Sequence, residues 1–350
     1  MTDAAHTSRT TKFAAFEGLR GVLALSVCLG HYGVNNVLNK FGVTLLKQLA
    51  VFIFFALSGF VLSRAYYFRR KPFGALVVSR IARLYPLHLA TLIWCVGLAL
   101  VTHMDTDSVE LIMTMFLLHN LGIPGARWSI NFPSWSISVE MYLSLAFYFV
   151  ALRSTRALAA ALAIVGTACA AGWASTDLDP FKLFHGVINV GLLCGVGGFS
   201  IGVASYIIYT DYADRLRPYQ RFTNALLAAT LGFMLVPLGA FNWIGALFAV
   251  ATLFLLPLLA LTDGANILAT RPFIYLGTIS YSLYLIHVPM LLTAIAVFKE
   301  GAVEGPAAKL LLLACTLGAS SLSYHFLERP AQNYILRRFG RRPAPVATSA

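Results

Sequence analysis

Ten stretches of this chain run for about twenty residues each with few or no charges, the length a helix needs to cross the hydrocarbon core of a bilayer. They lie near 14–33, 48–67, 85–102, 134–152, 157–174, 186–209, 222–241, 243–262, 273–298 and 309–327. A backbone in lipid must satisfy its own hydrogen bonds, so only helices and closed barrels can span. Long apolar runs without strict alternation predict helices. Only 11% of residues are charged, and the mean hydropathy is +0.76. The fold class expected is an all-α polytopic membrane protein with about ten transmembrane helices. One membrane domain, 13–335, lies between a flexible tail at 1–12 and a basic tail at 336–350, with no room for a separate soluble domain of ordinary size. The apolar segment 109–121 is short and reads as interfacial or re-entrant.

Charge sets the orientation. With the N-terminus inside, nineteen of the 26 Lys and Arg residues fall in cytoplasmic segments, six fall outside, and Arg20 lies in the membrane. That asymmetry follows the positive-inside rule and makes both termini cytoplasmic, in a multi-pass protein of the cytoplasmic (inner) membrane. Counting 109–121 as a span would put Arg153 and Arg156 outside. In so apolar a chain, the net charge of +12 speaks for orientation and an anionic ligand on the basic side. No nucleic-acid partner is expected. The five cysteines sit in apolar runs without metal-ligand spacing, and no metal is expected. The first span carries Arg20 and does not read as a cleavable signal.

Ionisable groups inside spans are costly and usually functional. Arg20 and His31 share the first span. Eleven residues return a helix to within about 20° of the same face and separate the two groups by about 16 Å along its axis. Glu140, in the fourth span, sits at a depth comparable to His31. A carboxylate paired with this histidine would fix its tautomer and strengthen it as a general base. The same groups fit a packing histidine, a structural ion pair, or the proton relay of a carrier. A proton-coupled transporter is therefore the alternative function, although no internal repeat supports one.

The segment 63–86 reads as an inner loop. Arg80 and Arg83, three apart, would point to one side of a helix, and guanidinium pairs suit phosphates. Tyr85–Pro86 reads as a capped start to the next span. Arg69, Arg70 and Lys71 fit a phosphate ligand and lipid headgroups equally. Within 276–289, Ser280, Tyr284 and His287 share a helical face, with Ser282 and Tyr281 beside it. Such a stripe lines a cavity or glues helices together. Trp135 and Tyr142 suit an interfacial belt and core packing. Glu328, beside a basic region, reads as half of a structural ion pair. Gly191–Gly195 and Gly198–Gly202 read as close helix packing.

Six of these pieces occur in an order that resembles the acyltransferase 3 family, integral-membrane enzymes that O-acylate cell-surface glycans and some small molecules. They are Arg20 with His31, FFALSGFVL, SRIARLYPLH, WSISVEMY, LGTISYSLYLIHVP and YHFLERP, covering about residues 12–334. The resemblance implies a ten-helix bundle and a cytoplasmic acyl-coenzyme A donor, with acetyl-CoA the default. It also implies a hydroxyl acceptor on the outer side, a carbohydrate or a small molecule. Arg20 and His31 would be the central pair, and Arg80 and Arg83 would handle the donor. On this reading His31, Glu140 and Arg20 are catalytic, and Arg80, Arg83, Arg69 and Arg20 bind acyl-CoA. Trp135, Ser136, Tyr281, Tyr284 and His287 line the acceptor cavity. Acyl-CoA is a co-substrate, no resident cofactor is expected, and membrane lipids are the other partners. The chain differs from family members that carry an extra helix and an esterase-like domain, so a two-stage transfer would need a separate protein. The acyl group, the acceptor, the use of an acyl-histidine intermediate and the oligomeric state stay open.

Overall fold

The computed structural model describes residues 13–67, 72–123, 129–152, 155–237, 243–262 and 264–340. The chain folds as α1 (Ala14–His31), α2 (Asn35–Leu38), β1 (Val43–Leu45), α3 (Lys47–Leu62), α4 (Phe73–Thr102), α5 (Ser108–Met115), α6 (Ser134–Ala151) and α7 (Arg156–Ala174). After α7 come β2 (Leu183–Phe184), β3 (Ile188–Asn189), α8 (Val190–Leu216), α9 (Thr223–Gly232), β4 (Leu235–Pro237) and α10 (Ile244–Leu261). The chain ends in α11 (Arg271–Thr278), α12 (Ser280–Phe298), α13 (Pro306–Ser323) and α14 (Arg329–Phe339).

Among the described residues, seven helices are long and apolar enough to cross a membrane, or eight if α1 is taken with the helix bent 70° from its end. The protein is thus a multi-pass, all-helical membrane protein. Two of the ten expected spans fall outside that set as separate crossings. The N-terminal half of α6 carries Ser134, Ser136, Ser138 and Glu140, which lower its hydropathy. Among the described residues of the expected span 222–241, α-helix runs over Thr223–Gly232, and the chain then turns into β4, which pairs antiparallel with β1. α5 is eight residues long and starts on an Asp107 cap, too short to span. The lipid-facing surface is apolar, with Ile93, Leu100, Ile164 and Leu310 all prominently exposed.

Two expectations about helix ends change. α4 begins at Phe73, so Arg80 and Arg83 lie inside a 30-residue helix and not in a loop, and Pro86 is interior to it. Spanning helices tolerate such a proline because neighbours re-satisfy freed backbone groups. The expected span 273–298 breaks at Ile279 into α11 and α12.

The glycine pairs are packing devices, as their spacing predicts. A Cβ on Gly202 would lie 2.0 Å from the Ala56 carbonyl oxygen, and one on Gly195 would lie 2.3 Å from Val139 Cγ1. These contacts let α8 press its backbone against α3 and its face against α6. The same device seats α1. A Cβ on Gly277 would overlap the Glu17 carbonyl, and one on Gly18 the Leu268 carbonyl. α1 is thereby locked between α11 and the turn before it, which fixes how Arg20 and His31 point.

Two single turns of π-helix follow α3 and α13, at Ser63–Tyr67 and Tyr324–Glu328. Such turns re-aim side chains and occur often at functional sites. The second turns Glu328 into the bundle, where it is buried.

Candidate active site

His31 ends α1, and His287 lies on α12 one layer behind it. The rings stand 4.9 Å apart, and His287 Nε2 is 3.0 Å from His31 Nδ1. Each Nδ1 also lies 3.1 Å from the carbonyl oxygen four residues earlier in its own helix, Val27 for His31 and Leu283 for His287. These contacts assign the protons. A carbonyl only accepts, so His287 Nδ1–H donates to Leu283, and in the neutral ring Nε2 is then an acceptor. His31 Nδ1–H donates to it, sharing with the Val27 carbonyl. His31 Nε2 is left with a buried lone pair that has no partner among the described residues. Tyr32 anchors the pair by donating to the His287 carbonyl at 3.0 Å. The Tyr32 hydroxyl also lies 2.7 Å from Thr316 Oγ1.

His31 opens on a cavity of about 330 Å³. Its walls include Lys47 and Gln48 at the start of α3, Phe132 and Trp135 around the start of α6, and the loop Asp177–Phe181 after α7. The Asp177 carboxylate is bonded to Lys182, which holds its carboxyl below the usual carboxylate range, so this rim is charged at neutral pH. Aromatic faces flanked by amide and charged groups suit a polyhydroxylated molecule, whose C–H faces stack and whose hydroxyls hydrogen-bond.

Glu140 does not reach His31. Its Oε1 accepts from Arg80 Nη1 at 2.9 Å and from Ser58 Oγ at 2.9 Å. The expected His31–Glu140 pair is therefore corrected. α6 turns this carboxylate toward α4, where a buried guanidinium demands it more strongly than a neutral imidazole does. Equal depth along two helices does not reveal which way each helix faces. The histidine's actual partner, His287, carried a signal of its own, being the one histidine in the polar stripe of 276–289.

Arg20 and Arg83 line a second cavity of about 40 Å³, with Phe54, Phe55, Ser58, Ser136, Glu140, Ser280, Tyr281 and Tyr284. Among the described residues, neither arginine has a carboxylate within ion-pair distance. Glu328 is nearby but bonds Ser282 Oγ at 2.7 Å rather than forming the ion pair expected of it. The cavity thus holds more guanidinium than carboxylate, and an anion would complete it.

The five residues expected around an acceptor separate. Trp135 and Tyr284 line the His31 cavity. Ser136 and Tyr281 line the arginine cavity, and the Tyr281 hydroxyl is spent on the Leu84 carbonyl at 2.6 Å. His287 is fully buried behind His31 and lines neither cavity. Tyr284 and Val51 line both cavities and form the wall between them. Arg69 lies outside the described residues. Lys47, Phe132 and the Asp177–Phe181 loop were missed by the sequence reading, although the acidic run Asp177–Leu178–Asp179–Pro180 between two spans is a visible feature.

A sequence model described as an acyltransferase domain, that of the acyltransferase 3 family, matches residues 13–325. Over 78 residues, 22% of this chain and 12% of the other, the chain is 37% identical to a protein of Bacillus subtilis (strain 168) named "Putative peptidoglycan O-acetyltransferase YrhL". The matched stretch is thus a small part of that relative's length. No solved structure matches. The chain belongs to the acyltransferase 3 family.

Proposed function

We propose that this membrane protein transfers an acyl group, acetyl by default, from cytoplasmic acyl-CoA to a hydroxyl of an exported or lipid-linked carbohydrate or similar acceptor. The observation that carries this reading is the unpartnered Nε2 of His31. His31 lines a cavity large enough for a sugar, and Tyr284 and Val51 form the wall to a second cavity whose arginines, Arg20 and Arg83, have no ion-pair partner among the described residues. Membership of an acyltransferase family supports the same chemistry.

In this account both termini lie inside and the arginines face the cytoplasm, in the inner membrane. The coenzyme A phosphates dock at the inner end of α4 near Arg83, and Arg20 holds the pantetheine arm or a phosphate. Arg80, fixed by Glu140, lines the same approach. The arm runs outward along α1 for about 16 Å, the axial distance from Arg20 to His31. His31 Nε2 removes the acceptor's hydroxyl proton as its oxygen attacks the thioester carbonyl. His287 takes the role first given to Glu140, holding the His31 tautomer and stabilising the charge that forms on the ring. Glu140 secures Arg80. A proton-coupled carrier would need a relay between His31 and Glu140, and the bonds of Glu140 to Arg80 and Ser58 leave it elsewhere engaged.

The test is thiol release from acetyl-CoA by the purified protein in native membranes, together with the mass of extracted surface glycans. Acyl transfer releases one thiol per acyl group gained by the glycan. A carrier moves solute without releasing thiol, and that result overturns the proposal. Arg83→Ala should raise the donor KM about tenfold or more with kcat little changed, since it removes an anion contact made equally in ground and transition states. Unchanged donor kinetics would remove Arg83 from the donor site.

A further inference from the structure

The hydroxyl of Tyr284 lies 2.8 Å from Ser136 Oγ, and both residues are almost fully buried. Ser136 Oγ also lies 3.2 Å from the Pro133 carbonyl oxygen. That carbonyl can only accept, so the single hydroxyl proton of Ser136 goes to it. Tyr284 is therefore the donor of the 2.8 Å bond. The phenol proton is parked on a neutral oxygen, in the wall where the His31 cavity and the arginine cavity meet.

Resting on the acyl-transfer reading above, we propose that Tyr284 is a catalytic residue that donates its O–H to the thioester oxygen as that oxygen becomes negative. A thioester arriving from the arginine side and a hydroxyl activated by His31 from the other side can meet only at this wall. The Tyr284 ring centroid lies 6.1 Å from that of His287, and the other phenol beside the histidine pair, Tyr32, is bonded to the His287 carbonyl and to Thr316. The other tyrosine of the stripe, Tyr281, is committed to the Leu84 carbonyl and is not free to serve.

The step balances without any further reactant. The acceptor O–H proton moves to His31 Nε2 while its oxygen bonds to the carbonyl carbon. The carbonyl π pair moves onto oxygen, and the Tyr284 O–H turns from Ser136 to that oxyanion, exchanging a neutral acceptor for a charged and stronger one. Collapse re-forms the carbonyl and breaks the C–S bond. The thiolate takes the proton from the His31 imidazolium, and the tyrosine proton returns to Ser136. Ser136 is a positioning residue in this scheme, holding the phenol in the wall between turnovers.

Removing one oxyanion donor usually costs about 10²–10³ in kcat. Tyr284→Phe keeps the ring and deletes the donor, so kcat should fall by about that factor with the donor KM nearly unchanged. Binding separates this role from packing. The probes are S-propyl-CoA, which has no carbonyl, and S-trifluoroacetonyl-CoA, whose ketone hydrates to a tetrahedral adduct. The wild-type protein in native membranes should prefer the ketone about 100-fold or more. Tyr284→Phe should lose most of that preference while binding the thioether as before, which also reports that the variant is folded. A variant that keeps the preference and the kcat overturns the oxyanion role while leaving the acyl-transfer reading intact. A wild-type protein that binds neither probe overturns both.

Discussion

Replacing His31 by Gln should lower acyl transfer by about 10³-fold or more while leaving donor affinity within about twofold. General-base groups contribute about 10²–10⁴ in rate, and the Asp177 carboxylate on the cavity rim is tied to Lys182. His31 lines the cavity, its Nε2 has no hydrogen-bond partner among the described residues, and its Nδ1 is spent on His287 and the Val27 carbonyl. Glutamine can preserve a hydrogen bond toward His287 yet cannot take up a proton. Thiol release from acetyl-CoA and equilibrium binding of S-propyl-CoA check the two halves of the expectation. His287→Gln should give a smaller loss, because it disturbs the tautomer and leaves the base in place. Equal rates for His31→Gln and wild type would remove His31 from the chemistry.

The second large effect concerns folding. Glu140→Leu strands the buried Arg80 guanidinium, and breaking a buried pair from one side costs about 3–5 kcal/mol. The variant should be recovered poorly, with a lower unfolding midpoint in detergent. Arg80→Met combined with Glu140→Leu should regain most of that loss, because an apolar pair of similar volume is often neutral or stabilising. The double variant should still show a raised donor KM. If Glu140→Leu folds normally but loses kcat alone, Glu140 acts in the reaction and not as the holder of Arg80.

The two substitutions address what the sequence did and did not make legible. Long apolar runs specify spanning helices through a one-dimensional requirement, and α3, α4, α7, α10 and α13 match it. The run 222–241 misled because β4 draws its end into a pairing with β1, a long-range contact invisible in local composition. Within α1 the shared face of Arg20 and His31 followed from helical repeat alone. The partner of His31 did not, because choosing between Glu140 and His287 requires knowing how α6 and α12 rotate about their axes. That rotation is set by packing, through the small residues at which α8 meets α3 and α6 and through the Gly277 crossing of α1. Likewise the three-residue spacing of Arg80 and Arg83 was legible, but their place inside α4 was not, because Pro86 suggested a helix start.

The separation of the two cavities by Tyr284 and Val51 gives the account its central claim, that the acyl group changes sides of the bilayer during one reaction. Proteoliposomes holding the protein in a single orientation test it most directly. The arginine-rich face is turned outward, labelled acetyl-CoA is added outside only, and glycan acceptor extracted from the native surface is sealed inside. The account predicts label on the enclosed acceptor and an equal amount of free thiol outside, both lost in His31→Gln. Label that reaches acceptor only when donor and acceptor share one compartment would contradict it.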